Sequence, residues 1–63
     1  MQEWNTYRKT ALIRAMQMEA DFEVQTLEGV MKGHAGDYLA EGPAGDRWPI
    51  KKEIFENTYQ IVE

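Results

Sequence analysis

Hydrophobic and polar positions alternate most clearly from Phe22 onward: Phe22, Val24 and Thr26 interleave with Glu23, Gln25 and Leu27, the pattern of a strand with one covered face. Glu28-Gly29 supplies a turn with glycine at the position needing a positive φ, and Val30 to Lys32 returns, so residues 22 to 32 are predicted to form a hairpin. Gly33 and Gly36 bracket a second bend before a short strand at Tyr38, Leu39 and Ala40. Gly42-Pro43-Ala44-Gly45-Asp46 marks a third turn. Arg47 to Ile50 reads as a strand whose Pro49 marks its end or an edge, because proline has no N–H to give to a ladder. Between Ile50 and Asn57 the spacing changes. Ile50, Ile54 and Phe55 fall one turn apart with charges between them, which predicts one or two turns of helix stopped at Asn57. Thr58 to Val62 alternates again, with Tyr59 and Ile61 on one face, and predicts a final strand.

The segment from Thr6 to Ala20 reads two ways. Most of its residues are good helix formers, and Leu12, Ala15, Met16 and Glu19 recur at helical spacing, so local propensity favours a helix. A strand from Thr10 to Met18 would carry two mixed faces. Short strands with frequent turns and one helical turn predict a single mainly β domain spanning residues 1 to 63. Its expected form is a small SH3-like antiparallel β-barrel, with the N-terminal segment as strand or helix.

Length and composition narrow the function. A chain of 63 residues buries only about 60% of the surface it exposes when unfolded, which makes self-association an expectation. It has no cysteine and no serine. That removes disulfides, Cys-type zinc sites and the Ser-His-Asp and Cys-His nucleophiles, and it suits a reducing compartment. A non-enzymatic binding protein without a cofactor is therefore expected. The net charge is -4, with four basic and five acidic side chains in residues 1 to 32 and three and six in residues 33 to 63. Such a mixed, mildly acidic balance argues against nucleic-acid binding, which needs a basic face. Apolar runs no longer than Ala11 to Ile13 argue against a membrane partner.

Several clusters bear on chemistry. His34 and Asp37 stand three apart in a glycine-bounded loop, but one histidine without cysteine falls short of the three or four ligands a metal needs. A structural role fits Gly36-Asp37-Tyr38 better: Asp37 accepts backbone N–H bonds, Gly36 supplies the unusual φ and Tyr38 enters the core. Gly42 to Gly45 lacks the lysine and hydroxyl of a phosphate loop and reads as a hairpin tip. Arg47 and Trp48 could clamp a planar anion, although core packing is the commoner fate of such a tryptophan. Lys32 and His34 lie in the neighbouring bend, so Arg47, Trp48, His34 and Lys32 make the candidate binding site. Arg8, Lys9 and Arg14 are a second cationic cluster. Met16, Met18 and Met31 are expected to fill gaps in the core.

Tyr7-Arg8-Lys9, Phe22 to Gly29, Gly36-Asp37-Tyr38-Leu39, Trp48-Pro49-Ile50-Lys51 and Ile54-Phe55-Glu56-Asn57-Thr58-Tyr59 together carry a resemblance. In order and spacing, over about fifty residues, they resemble the small PGDYG-type proteins of bacteriophages and prophages. Ala35 stands where that family usually has proline, and Thr10-Ala11 replaces its Lys-Pro. The resemblance implies phage origin and a compact β fold, and it implies a strand in place of the N-terminal helix. It implies no activity. The expected role is a phage accessory protein in the host bacterial cytoplasm, binding a host or defence protein stoichiometrically and inhibiting it. A small anionic ligand such as a nucleotide, held between subunits of a homo-oligomer, is the alternative, and a virion structural or assembly part is a third.

Overall fold

A computed structural model describes residues 2–8 and 10–62. Five strands precede one helix: β1 Arg14–Gln17, β2 Phe22–Thr26, β3 Gly29–Gly33, β4 Tyr38–Glu41, β5 Arg47–Ile50 and α1 Lys52–Thr58. The fold is small, mainly β and antiparallel, with a single short helix as expected. The ladders form two sheets, a three-stranded one in the order β1-β4-β5 and the β2-β3 hairpin, which packs against β5.

The hairpin follows the alternation closely. Phe22 pairs with Gly33 and Thr26 with Gly29, leaving Leu27-Glu28 as a two-residue loop. Gly29 takes a φ of 106°, a conformation that a side chain would strain. The ring of Phe22 lies directly over Gly33, where a β-carbon would collide with it. Phe22, Val24 and Thr26 are half-buried while Glu23 and Gln25 are exposed, which reproduces the predicted faces. Pro49 sits on β5, an edge of the three-stranded sheet, where its missing N–H leaves no ladder bond unmade.

Residues 14–17 form a strand, against the helix that propensity favours. Long-range pairing decides it: Arg14 lies opposite Glu41, Ala15 opposite Ala40 and Met16 opposite Leu39. Tertiary contacts of this kind outweigh helix propensities of a few tenths of a kcal/mol per residue, roughly. Preceding residues 2–8 and 10–13 have no regular structure.

Three further expectations are corrected. Asn57 does not stop the helix, which runs to Thr58, and the only positive φ angles described belong to glycines. Residues 59–62 form no strand; Tyr59 is extended, at φ -124° and ψ 149°, but no neighbouring strand pairs with the tail among the described residues. Met16 and Met31 are exposed, and only Met18 of the three is half-buried. Ala40 is the one fully buried apolar residue among those described. Cross-strand register puts Ala15, Ala40 and Trp48 on one face with Tyr38 and Ile50, and Phe55 of α1 stacks on Tyr38 with ring centroids 3.9 Å apart. Tyr59 stacks on Phe55 in turn, at 4.9 Å. No described helix is long and apolar enough to cross a membrane.

Candidate binding site

The four cationic and aromatic residues singled out in the sequence lie on β5, on β3 and in the loop after β3. Arg47 opens β5 next to the β4–β5 turn, where its Nε donates to Glu41 Oε2 at 2.9 Å. Arg14 donates to the other oxygen of the same carboxylate, its Nε at 3.0 Å from Oε1 and its Nη2 in closer contact. Two guanidiniums thus share one anion. Their hydrogen bonds hold the Glu41 carboxyl below its ordinary range, and the Glu41 carboxylate that accepts them raises Arg14. His34 belongs with the opposite end of β5. It sits 3.8 Å from Asp37 Oδ2, and Asp37 reaches Lys52 just after β5 ends. Lys32 faces Glu23 across the hairpin ladder and is exposed. Trp48 is half-buried on β5 opposite Ala40. Arg47 and His34 therefore each meet a different carboxylate, while Lys32 only stands opposite Glu23 in the ladder. In the second cationic cluster Arg8 is exposed and Arg14 engaged, while Lys9 lies outside the described residues.

Gly36-Asp37-Tyr38 is a structural junction, as the turn chemistry suggested. Asp37 Oδ2 accepts the His34 N–H at 3.0 Å and Oδ1 accepts the Lys52 N–H at 3.1 Å. The second bond caps α1 from a distant loop, since Lys51 at the helix start offers no side-chain cap. These two backbone donors hold the Asp37 carboxyl below its ordinary range. Gly36, at φ 94°, donates its N–H to Met18 O, and Met18 N–H returns a bond to Asp37 O, both at 2.8 Å. Ala35 N–H is taken up by Asp21 at 2.9 Å. Both oxygens of the Asp37 carboxylate are thus committed to backbone N–H donors, while the His34 ring stays exposed beside it.

A different feature has the shape of a binding site. A groove of about 730 Å³ opens between the start of the three-stranded sheet and the tail after α1. Leu12, Ile13 and Ala15 form one wall, Tyr38 and Phe55 the floor, and Tyr59, Ile61 and Val62 the other wall. Ile61 is 88% exposed and Leu12 71%. At the floor Tyr38 donates its hydroxyl to Glu56 Oε2 at 3.0 Å, and desolvation together with that carboxylate raises the phenol. Ala15 also belongs to β1, an edge of the three-stranded sheet that pairs with β4 alone among the described strands. An edge strand of this kind presents unpaired backbone N–H and C=O groups, and Ala15 and Met16 at its centre carry no charge to repel an incoming chain. A shallower hollow of about 290 Å³ lies on the other face, over Met16 and Leu39 beside the Arg14–Glu41–Arg47 trio.

The groove is not legible in the sequence because it is made by segments about 40 residues apart, Leu12–Ala15 and Phe55–Val62. The one usable signal was the Thr58–Val62 alternation, which marks a segment fit to lie beside a strand. No group of three or more His, Cys, Asp or Glu side chains is placed to hold a metal ion among the described residues. Comparison of the chain with protein families, curated proteins and solved structures finds no match.

Proposed function

We propose that this chain is a stoichiometric binding protein that accepts an extended segment of a partner protein along the open edge of β1. The observation that carries the reading is the groove itself, in which an unpaired strand edge and an apolar, aromatic floor lie side by side. Strand addition uses these two parts for different purposes: backbone hydrogen bonds supply affinity, and the pocket selects alternate side chains. The PGDYG-type resemblance supports a phage accessory role in the host bacterial cytoplasm, with a host or defence protein as the partner and inhibition as the outcome. The rival anion site at Arg47 and Trp48 is weakened by the Glu41 carboxylate, which already engages Arg47.

The test compares full-length protein with its Ile61→Glu and Arg47→Glu variants. Partners captured from bacterial lysate are identified, purified and titrated against each. Strand addition predicts that Ile61→Glu weakens a one-to-one complex at least tenfold while Arg47→Glu leaves it nearly unchanged. Hydrogen exchange should slow at the outward amides of Arg14–Gln17 in the complex. Loss of binding in Arg47→Glu with full binding by Ile61→Glu would sink the reading and return the site to the cationic cluster.

A further inference from the structure

We infer that the groove is filled, in the absence of another partner, by the N-terminal arm of a second copy of this chain, and that two copies exchange arms reciprocally. The inference rests on the groove reading above and names its occupant. Its first support is area. The chain exposes 5982 Å², about 1,800 Å² more than the roughly 4,200 Å² of a compact folded monomer of its mass. A standard stable interface takes only about 800 Å² from each partner. The radius of gyration, 13.5 Å, likewise exceeds the roughly 10.6 Å of a compact chain of this length.

The arm accounts for much of the excess and has the chemistry of the missing occupant. Trp4 is fully exposed and Tyr7 is 86% exposed, so neither aromatic ring finds a place on its own chain. Aromatic side chains with one polar tip are the residues most enriched where proteins bury surface against one another. The charges match as well. Arg8 follows the aromatics, whereas the acid lining the groove is Glu56, and the lining cation Arg14 is already engaged by Glu41.

Chain stereochemistry selects exchange over folding back. For Tyr7 to reach its own β1 edge, the chain would have to reverse between Arg8 and Ile13, and Arg8-Lys9-Thr10-Ala11-Leu12-Ile13 contains no Gly, Asn, Asp or Pro. Tight hairpins depend on those residues for positive φ angles or a preset φ. The arm leaves the body at Leu12 and Ile13, which are themselves on the groove wall. Two grooves facing each other across a twofold axis would therefore stand within a short reach of each other's arms, and the contact is isologous and closes at two copies.

Sedimentation equilibrium on the full-length chain tests the inference. The parent should show a concentration-dependent dimer. Trp4→Ala/Tyr7→Ala, which removes the arm's anchors, and Ile61→Glu, which spoils the groove, should each weaken dimerisation at least tenfold with an unchanged far-ultraviolet circular dichroism spectrum. Mixing the two variants should restore a heterodimer beyond what either forms alone, since one intact arm then meets one intact groove. If either variant loses its fold with its dimer, recovery of both fold and heterodimer in the mixture carries the test. A parent that stays monomeric at 100 µM or so, an arm variant that dimerises like the parent, or a mixture without recovery would overturn the inference. The groove reading would survive each of these outcomes, because it falls only if Ile61→Glu leaves partner binding intact.

Discussion

The loop Gly36–Tyr38 and the groove beside Leu12–Ala15 share Tyr38 but treat their other chemical groups in opposite ways. In the loop, the Asp37 side chain satisfies two backbone N–H donors, Met18 accepts from the Gly36 N–H and donates its own N–H to Asp37 O, and Tyr38 stacks on Phe55. Elsewhere Trp4 and Tyr7 of the arm are bare, β1 is an edge strand and the tail after α1 joins no described strand. A polar residue such as Asp37 can be satisfied inside one small chain because hydrogen bonds are local and directional. Apolar area cannot, because a domain of this size has too little interior to hide it. The contrast separates groups used to build the fold from groups left for something else to cover.

Substitutions can break that contrast from the packed side. Gly33→Ala puts a methyl into the ring of Phe22 and should produce the largest loss, roughly 1–3 kcal/mol for an overpacked site, read as a fall of about 10 °C in the thermal midpoint. Asp37→Ala removes the remote cap of α1 and the turn bond to His34 together. A midpoint lowered by about 5 °C is expected, with Asp37→Asn falling between it and the parent; an unchanged midpoint in Asp37→Ala would show that the junction is not structural.

Acid offers a graded version of the same break. Asp37 and Glu41 both have folded-state affinities for protons below their ordinary ones, the first through backbone N–H donors and the second through Arg14 and Arg47. Groups shifted in that direction contribute stability that is complete above the unfolded value near 4 and drains away as pH falls through the folded one. Thermal midpoints should therefore hold steady from pH 7 to about 5 and drop below about 4, less steeply in Asp37→Asn. On the open side the effects on the fold should be smallest. Arg47→Ala removes one of the two guanidiniums on the half-buried Glu41 carboxylate and leaves Arg14, so it should change stability by less than about 1 kcal/mol, checked by urea titration.

Where the signal was local, the sequence was a good guide to the structure. Gly29 at the hairpin turn and Gly36 before Asp37 allow positive φ angles that other residues resist, Pro49 fixes its φ and lacks a donor, and all three sit where turn and ladder chemistry put them. Alternation over 22–26 likewise told which side of β2 is covered. The candidate site was far less legible. Proximity along the chain suggested that Arg47, His34 and Lys32 would converge, but Arg47 engages Glu41 across the ladder, His34 turns to Asp37 within its own loop and Lys32 stands opposite Glu23.

What the sequence determined by itself was the set of turns, the β2–β3 hairpin, the short helix before the tail and the division of residues into polar and apolar faces, because each depends on the φ preferences or periodicity of a few adjacent residues. Only the tertiary structure decided that Arg14–Gln17 is a strand, that Asp37 caps a helix fifteen residues away, and that Leu12 and Ile61 face one another across a groove. Those outcomes turn on contacts between segments far apart in the chain. A helix-forming sequence becomes a strand when β4 offers it a ladder, and a strand-like tail stays unpaired when no strand lies beside it.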